Sequence, residues 1–169
     1  VVDEEITLYV IDWLSNEEIL FRASDYTIKK VSLKNGEIST ITDKPAFVSG
    51  IIPGGNYLIY QYMTGASVDN ELYQYNLLTN ESMLINLPHG YRTTHFYDWH
   101  SDKSKIVFYI MNEEANLKLM IHDCTIGRTV EIFVPGNTEF DSGIRPKWNN
   151  DNVIFSAGGK TYSVNVIDR

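Results

Sequence analysis

The densest group of side chains able to do chemistry is Thr94-His95-Phe96-Tyr97-Asp98-Trp99-His100. Two histidines and a carboxylate are residue types that hold a transition metal. On a strand, successive side chains alternate faces, so His95 shares a face with Tyr97 and Trp99, while Asp98 and His100 share the other. The two histidines then point apart, and without a bulge they cannot hold one ion between them. His89 and His122 lie in other elements at no telling spacing. All four histidines are therefore expected to be structural or surface residues, with no metal and no cofactor.

Other chemistries find as little footing. Asn149-Asn150-Asp151-Asn152, with Ser101-Asp102 as its counterpart, carries oxygen ligands of the kind calcium takes. It lacks the sixth-position glycine and twelfth-position glutamate of the EF-hand loop, and Asn and Asp favour tight turns through local backbone hydrogen bonds. No Gly-x-Ser-x-Gly elbow and no Gly-x-x-x-x-Gly-Lys phosphate loop occurs; Gly54-Gly55 and Gly158-Gly159 read as hairpin glycines. Cys124 ends an apolar strand and reads as a small buried hydrophobe. Facing carboxylates at glycosidase distance cannot be judged from spacing. No catalytic residue is assigned, and the chain reads as non-enzymatic.

Aromatic residues offer more. Trp13, Trp99 and Trp148 each stand between a strand and a polar turn, a recurring place that predicts packing between sheets. Tyr60 and Tyr62 share one face of their strand, and Tyr73 and Tyr75 share one face of theirs. If solvent meets those faces, they form an amphipathic platform suited to a protein or sugar partner. Tyr91 and Arg92 join them as a candidate binding surface, because the segments Thr64–Asn70 and Tyr91–Thr94 interrupt otherwise regular units and read as recognition loops.

The elements that would position these residues form a repeat. Strongly apolar strands start at Ile19, Leu58, Ile106 and Val153, at intervals of 39, 48 and 47 residues. Around each, a short strand and a polar turn come before, and an alternating strand, a hairpin and a last strand come after. The units run over about 6–42, 46–87, 93–134 and 140–169, and the fourth stops short of its last strand. Phe47-Val48-Ser49-Gly50-Ile51-Ile52-Pro53 and Phe140-Asp141-Ser142-Gly143-Ile144-Arg145-Pro146 agree at five of seven positions, and Asp12-Trp13 recurs as Asp98-Trp99. Helical periodicity is nearly absent, and Glu113-Glu114-Ala115-Asn116 reads as a turn. A period of this length predicts an all-β, β-propeller-like array of four mostly four-stranded antiparallel sheets in a single domain. The array is either a closed or nearly closed four-blade ring or part of a larger propeller. In a closed ring, Val1-Val2-Asp3-Glu4-Glu5 could pair beside Thr161–Asp168. An open arc would leave apolar faces uncovered and is expected to self-associate.

Trp99-His100-Ser101-Asp102-Lys103-Ser104-Lys105-Ile106-Val107-Phe108 resembles the strand–turn–strand signature of TolB-like propeller repeats, in which Trp-Ser-Pro-Asp-Gly leads into an apolar strand. Trp13-Leu14-Ser15 with Ile19-Leu20-Phe21, and Trp148-Asn149-Asn150-Asp151 with Val153-Ile154-Phe155, are degenerate copies, and Pro53-Gly54-Gly55 is a version without the Trp. Within that group, the Trp-Leu turns and Tyr-rich strands are similar to YqgU-type lipoproteins of Gram-positive bacteria. The resemblance implies a place outside the cytoplasmic membrane, with a lipid anchor in a segment absent from this chain, and a non-catalytic role. It carries over no functional residue, because the shared positions are structural.

Bulk properties narrow the partners. At 169 residues, with 43% hydrophobic and 21% charged residues, the chain can bury a sizeable core. Its net charge of −8 argues against nucleic acid, whose binding rests on neutralising phosphates, and against docking on anionic lipid. No apolar run is long enough to insert in a bilayer. One cysteine excludes an intrachain disulfide and leaves the compartment open. The start at Val1-Val2 reads as processed or trimmed. The expected function is a binding or scaffold module of the bacterial cell envelope that recognises a protein partner through loops at one end of the propeller. The alternatives are a carbohydrate-binding or carbohydrate-active propeller, and a scaffold lobe of a larger protein.

Overall fold

The computed structural model describes residues 9–51, 55–62, 71–134, 136 and 138–166. These form fifteen strands in four antiparallel meanders and contain no α-helix. The chain divides into two compact units, Val1–Leu84 and Ile85–Arg169.

In the first unit, β1 (Tyr9–Trp13), β2 (Glu18–Arg22), β3 (Ile28–Ser32) and β4 (Ile38–Thr40) make one sheet. The second sheet is β5 (Ala46–Ile51), β6 (Tyr57–Tyr62), β7 (Leu72–Asn76) and β8 (Glu81–Ile85). Leu20 and Phe21 are adjacent in sequence and both buried, so β2 is covered on both faces, as a continuous apolar run requires. Leu20 and Ile28 pack with Ala46, Leu58, Tyr60 and Tyr75 in one cluster that joins the two sheets. Phe21 packs on the other face with Ala23 and Val31.

In the second unit, β9 (Arg92–Trp99), β10 (Lys105–Met111), β11 (Leu117–Asp123) and β12 (Arg128–Ile132) make a four-stranded sheet. β13 (Lys147–Asn149), β14 (Asn152–Ala157) and β15 (Lys160–Asn165) make a three-stranded one. All five residues Ile106–Ile110 are buried, so β10 is a central strand covered on both faces. Val107, Tyr109, Leu119 and Ile121 meet Val153 and Phe155 in a common core.

The turns follow from local chemistry. Asn35 Oδ1 accepts the Glu37 N–H at 3.1 Å, and Gly36 takes φ 73°, closing the predicted hairpin. Ala157 pairs with Lys160 across Gly158-Gly159, both at positive φ, the two-residue connection that suits strand twist. Asp25, Asp102 and Asp123 each accept the backbone N–H and the hydroxyl of the residue two places on, Thr27, Ser104 and Thr125.

The repeat predicts strands over Phe140–Trp148 and Tyr26–Leu33, and both differ. The run 140–148 is extended only at Lys147–Asn149, with Phe140 making an isolated bridge to Ala157. Between them the Asp141 carboxylate holds Ser156 Oγ–H and the Gly159 N–H, Gly143 takes φ 91°, and Pro146 has no N–H to give a ladder. β3 begins at Ile28 rather than Tyr26, because Tyr26 sits at φ 66° in a turn. Among the described residues the fourth sheet has three strands. Among the described residues no strand pairs with the outer edge of β15, and no pairing closes the four sheets into a ring. The proposed N-terminal partner, Val1–Glu5, lies outside the described residues.

Candidate functional site

β6 and β7 are in register with Tyr60 opposite Tyr73 and Leu58 opposite Tyr75. All four tyrosines therefore project from one face of the second sheet. Burial divides them: Tyr60 is 1% and Tyr75 6% exposed, while Tyr62 and Tyr73 are half-buried. Tyr60 and Tyr75 belong to the core and cannot present their rings to a partner; Tyr62 and Tyr73 are the accessible part of the expected platform.

The rings touch as a group. Tyr60 and Tyr73 stack at 5.5 Å and 15°. Tyr62 stands edge-on to Tyr60 at 5.3 Å and to Tyr73 at 5.0 Å. Such contacts add about 0.5–1.5 kcal/mol each beyond area burial. Every hydroxyl is satisfied: Tyr60 with Ser82 Oγ at 2.6 Å, Tyr62 donating to Asp43 Oδ1 at 2.8 Å, Tyr73 donating to Glu71 Oε2 at 2.8 Å, and Tyr75 donating to Asn80 Oδ1 at 3.1 Å. Burial, then the bonds to Tyr60 and Asp43, push the Tyr62 phenol well above its ordinary range. The bond to Glu71, with burial, pushes Tyr73 up to about 12. Both stay protonated donors to the carboxylates at the rim. Lys44 Nζ lies 5.5 Å from the centre of the Tyr62 ring. The expected recognition loop Thr64–Asn70 lies outside the described residues.

Tyr91 and Arg92 lie in the second unit. Tyr91 is half-buried under Lys118, whose Nζ is 5.1 Å from its ring and 2.9 Å from Glu131 Oε2. Arg92 is exposed at the start of β9, opposite Met111. The segment Tyr91–Thr94 is largely strand and not a loop: Thr93 pairs with Ile110, and Thr94 Oγ1 donates to the Tyr109 carbonyl at 3.0 Å. The irregularity visible in the sequence is a β-bulge, where β9 carries extra residues against β10.

The histidines lie in different settings. His95 and His89 are exposed. His100 turns toward the β13–β14 hairpin, with Nδ1 2.7 Å from Asp102 Oδ1, Nε2 3.8 Å from Asp151 Oδ1 and its ring edge-on to Trp148 at 4.9 Å. On the same face, Asp98 Oδ2 accepts the Trp148 backbone N–H at 2.8 Å. Asp102 and Asp151, from the corresponding turns of two units, thus both lie beside His100, a relationship that spacing does not reveal. Burial raises the Asp102 carboxyl, but the bonds from Ser104 and His100 outweigh it and hold the group at about 2. Among the described residues no three His, Cys, Asp or Glu side chains converge on a metal position.

The remaining reactive groups are enclosed. Burial lowers His122 to about 4, against a smaller opposite push from Asp123, and its Nδ1 lies 2.9 Å from Thr129 Oγ1. Burial raises the Cys124 thiol to about 12. Trp99 is buried and Trp148 half-buried, as packing residues should be, but Trp13 is 53% exposed and departs from that expectation. A pocket of about 30 Å³ beside Lys105, Asp123 and Arg128 has room for a water molecule and not for a substrate. Among the described residues no helix is long and apolar enough to cross a membrane.

No protein-family model and no functionally described protein matches the sequence. Solved structures do resemble the fold. An uncharacterised protein from Listeria monocytogenes aligns with a TM-score of 0.63 and 20% identity over 95% of this chain and 51% of that one. The β-propeller domain of the trilobed protease from Pyrococcus furiosus, described as having an open velcro topology, gives 0.57 and 17% over 87% and 53%. TolB from Acinetobacter baumannii gives 0.53 and 14% over 90% and 40%. The chain spans about half the length of these solved chains or less, and what it shares with them is a β-propeller-like fold.

Proposed function

We propose that this chain is a non-enzymatic binding module of the bacterial cell envelope that recognises a protein partner. The observation that carries this reading is the Tyr62–Tyr73 pair, half-exposed on a rigid sheet, with both hydroxyls anchored to surface carboxylates. Tyrosines held in this way offer large contact area at little entropy cost, which is what protein interfaces enrich. The fold likeness to TolB fits an envelope role, and the extracytoplasmic placement is part of the proposal. A larger propeller, of which these four sheets form a lobe, is the second reading; the chain's span of about half its structural neighbours favours it.

The test has two arms. Thermal unfolding is followed with calcium, cell-wall fragments and a panel of simple sugars. A ligand bound only by the folded state at 100 times its Kd stabilises by about 2.7 kcal/mol. A dose-dependent rise with a sugar would replace the protein partner with carbohydrate. In the second arm a photoreactive residue is placed at position 73 or at exposed position 37 and irradiated in envelope fractions. A discrete protein adduct from position 73 alone is the result expected; equal adducts from both positions would count against this surface.

A further inference from the structure

The tyrosine cluster carries a marker of the chemistry it accepts. An aromatic face is electronegative and attracts ammonium and guanidinium groups. Tyr62 already has one there, the Nζ of Lys44. Lys44 is exposed and sits in the short connection between β4 and β5, on a long side chain that ordering costs entropy. Two carboxylates rim the same place, Asp43 beneath the Tyr62 hydroxyl and Glu71 beneath that of Tyr73. Each accepts one hydrogen bond from the hydroxyl of its tyrosine, and a carboxylate has about four lone-pair sites, so acceptor capacity is left for a cation. Rings at near right angles, anionic rim and resident ammonium all lie within the first unit.

We propose that Tyr62, Tyr73, Asp43 and Glu71 form a receptor for a cationic side chain, a lysine or arginine presented by a protein partner, and that Lys44 is the internal placeholder that side chain displaces. The inference rests on the protein-partner reading and gives the partner its chemistry. A net charge of −8 works in the same direction, steering a basic segment toward the surface. A neutral sugar would gain from the rings but would leave the resident ammonium without a role.

The probe is a blocked penta-lysine peptide, compared with its fully Nε-acetylated counterpart by calorimetric titration. The lysine peptide should bind about tenfold or more tighter than the acetylated one, given the strength of cation–π and charge-assisted contacts. Tyr73→Leu leaves the net charge unchanged and should weaken binding about threefold to tenfold, while Tyr73→Phe keeps most of it. Lys44→Gln should tighten binding, whereas Lys34→Gln, an equal charge change on the β3–β4 hairpin, should not match it. Equal tightening by Lys44→Gln and Lys34→Gln would overturn the placeholder, since net charge alone would then be acting. Equal binding of both peptides would overturn the cation receptor and leave a protein partner of other chemistry. Absence of binding by either peptide would overturn the receptor too. A sugar response in the melting panel that Tyr73→Leu abolishes would overturn both readings. The two lysine substitutions lie on the surface, so they decide the matter even if Tyr73→Leu fails to fold.

Discussion

The Asp98 carboxylate accepts the backbone N–H of Trp148 at 2.8 Å across fifty residues, tying β9 of one sheet to β13 of the next. A hydrogen bond to a charged group is worth about 1.5–3 kcal/mol, and a donor left unpaired away from water costs about 1–3 kcal/mol. Asp98→Ala should therefore lower the unfolding free energy by about 2 kcal/mol, and Asp98→Asn, which keeps an acceptor, by about half that. Urea unfolding followed by tryptophan fluorescence checks it. Equal stability of all three proteins would show that the contact does not brace the sheets.

His122 makes stability depend on pH. Its folded value of about 4 lies below the ordinary 6.5, so between those limits the unfolded chain binds more protons than the folded one. The stability contributed by the neutral imidazole is complete above pH 6.5 and is lost as the pH falls toward 4. At pH 4.5 the loss is of order 2–3 kcal/mol. His122→Asn keeps a polar group for Thr129 and does not titrate, so its stability should fall less between pH 7 and 4.5. Parallel pH profiles for both proteins would remove His122 as the source.

The fold was legible where one force dominates, and the site was not. Ile106–Ile110 and Leu58–Tyr60 are unbroken apolar runs that only a strand covered on both faces can bury, so the sheets follow from the pattern alone. Tyr60 and Tyr62 look identical by strand parity, yet one is core and the other half-open. That difference depends on long-range packing, in which Leu20 and Ile28 of the first sheet cluster with Tyr60 while Tyr62 only flanks the cluster. The strand expected over 140–148 failed for a similar reason: a single carboxylate, Asp141, captured groups on the β14–β15 hairpin. The bulge in β9 lies beside the expected loop Tyr91–Thr94, and extra residues in one strand are invisible without its partner's register. Trp13 shares its sequence setting with Trp99, and nothing in that setting distinguishes exposed from buried.

Cys124 should be nearly inert while the protein is folded. Its thiol stands at about 12 against an ordinary 9.0, and only the thiolate attacks a disulfide reagent. At pH 8 the thiolate fraction falls by roughly a thousandfold from that shift alone, and burial removes access as well. Ellman's reagent should label the native protein on the timescale of unfolding and the denatured protein within minutes. Fast labelling of the native state, at a rate independent of stabilising conditions, would contradict the buried setting of this residue.

The Gly158-Gly159 hairpin separates two costs that usually travel together. Both residues occupy the left-handed region, at φ 55° and 71°, where a side chain costs roughly 1–2 kcal/mol. A methyl group built on Gly159 meets nothing within 4 Å, whereas one on Gly158 would come within 2.5 Å of Thr138 Cγ2. Gly159→Ala should then cost only the backbone strain, about 1 kcal/mol, and Gly158→Ala that strain plus a clash of about 1–3 kcal/mol. Shortening the neighbour in Gly158→Ala/Thr138→Ser removes the clashing methyl and should recover the clash while leaving the strain. Denaturant midpoints of the four proteins measure each part. If Gly158→Ala were no worse than Gly159→Ala, the hairpin would be moving freely away from Thr138, and the packing of this turn against the chain before Phe140 would have to be redrawn.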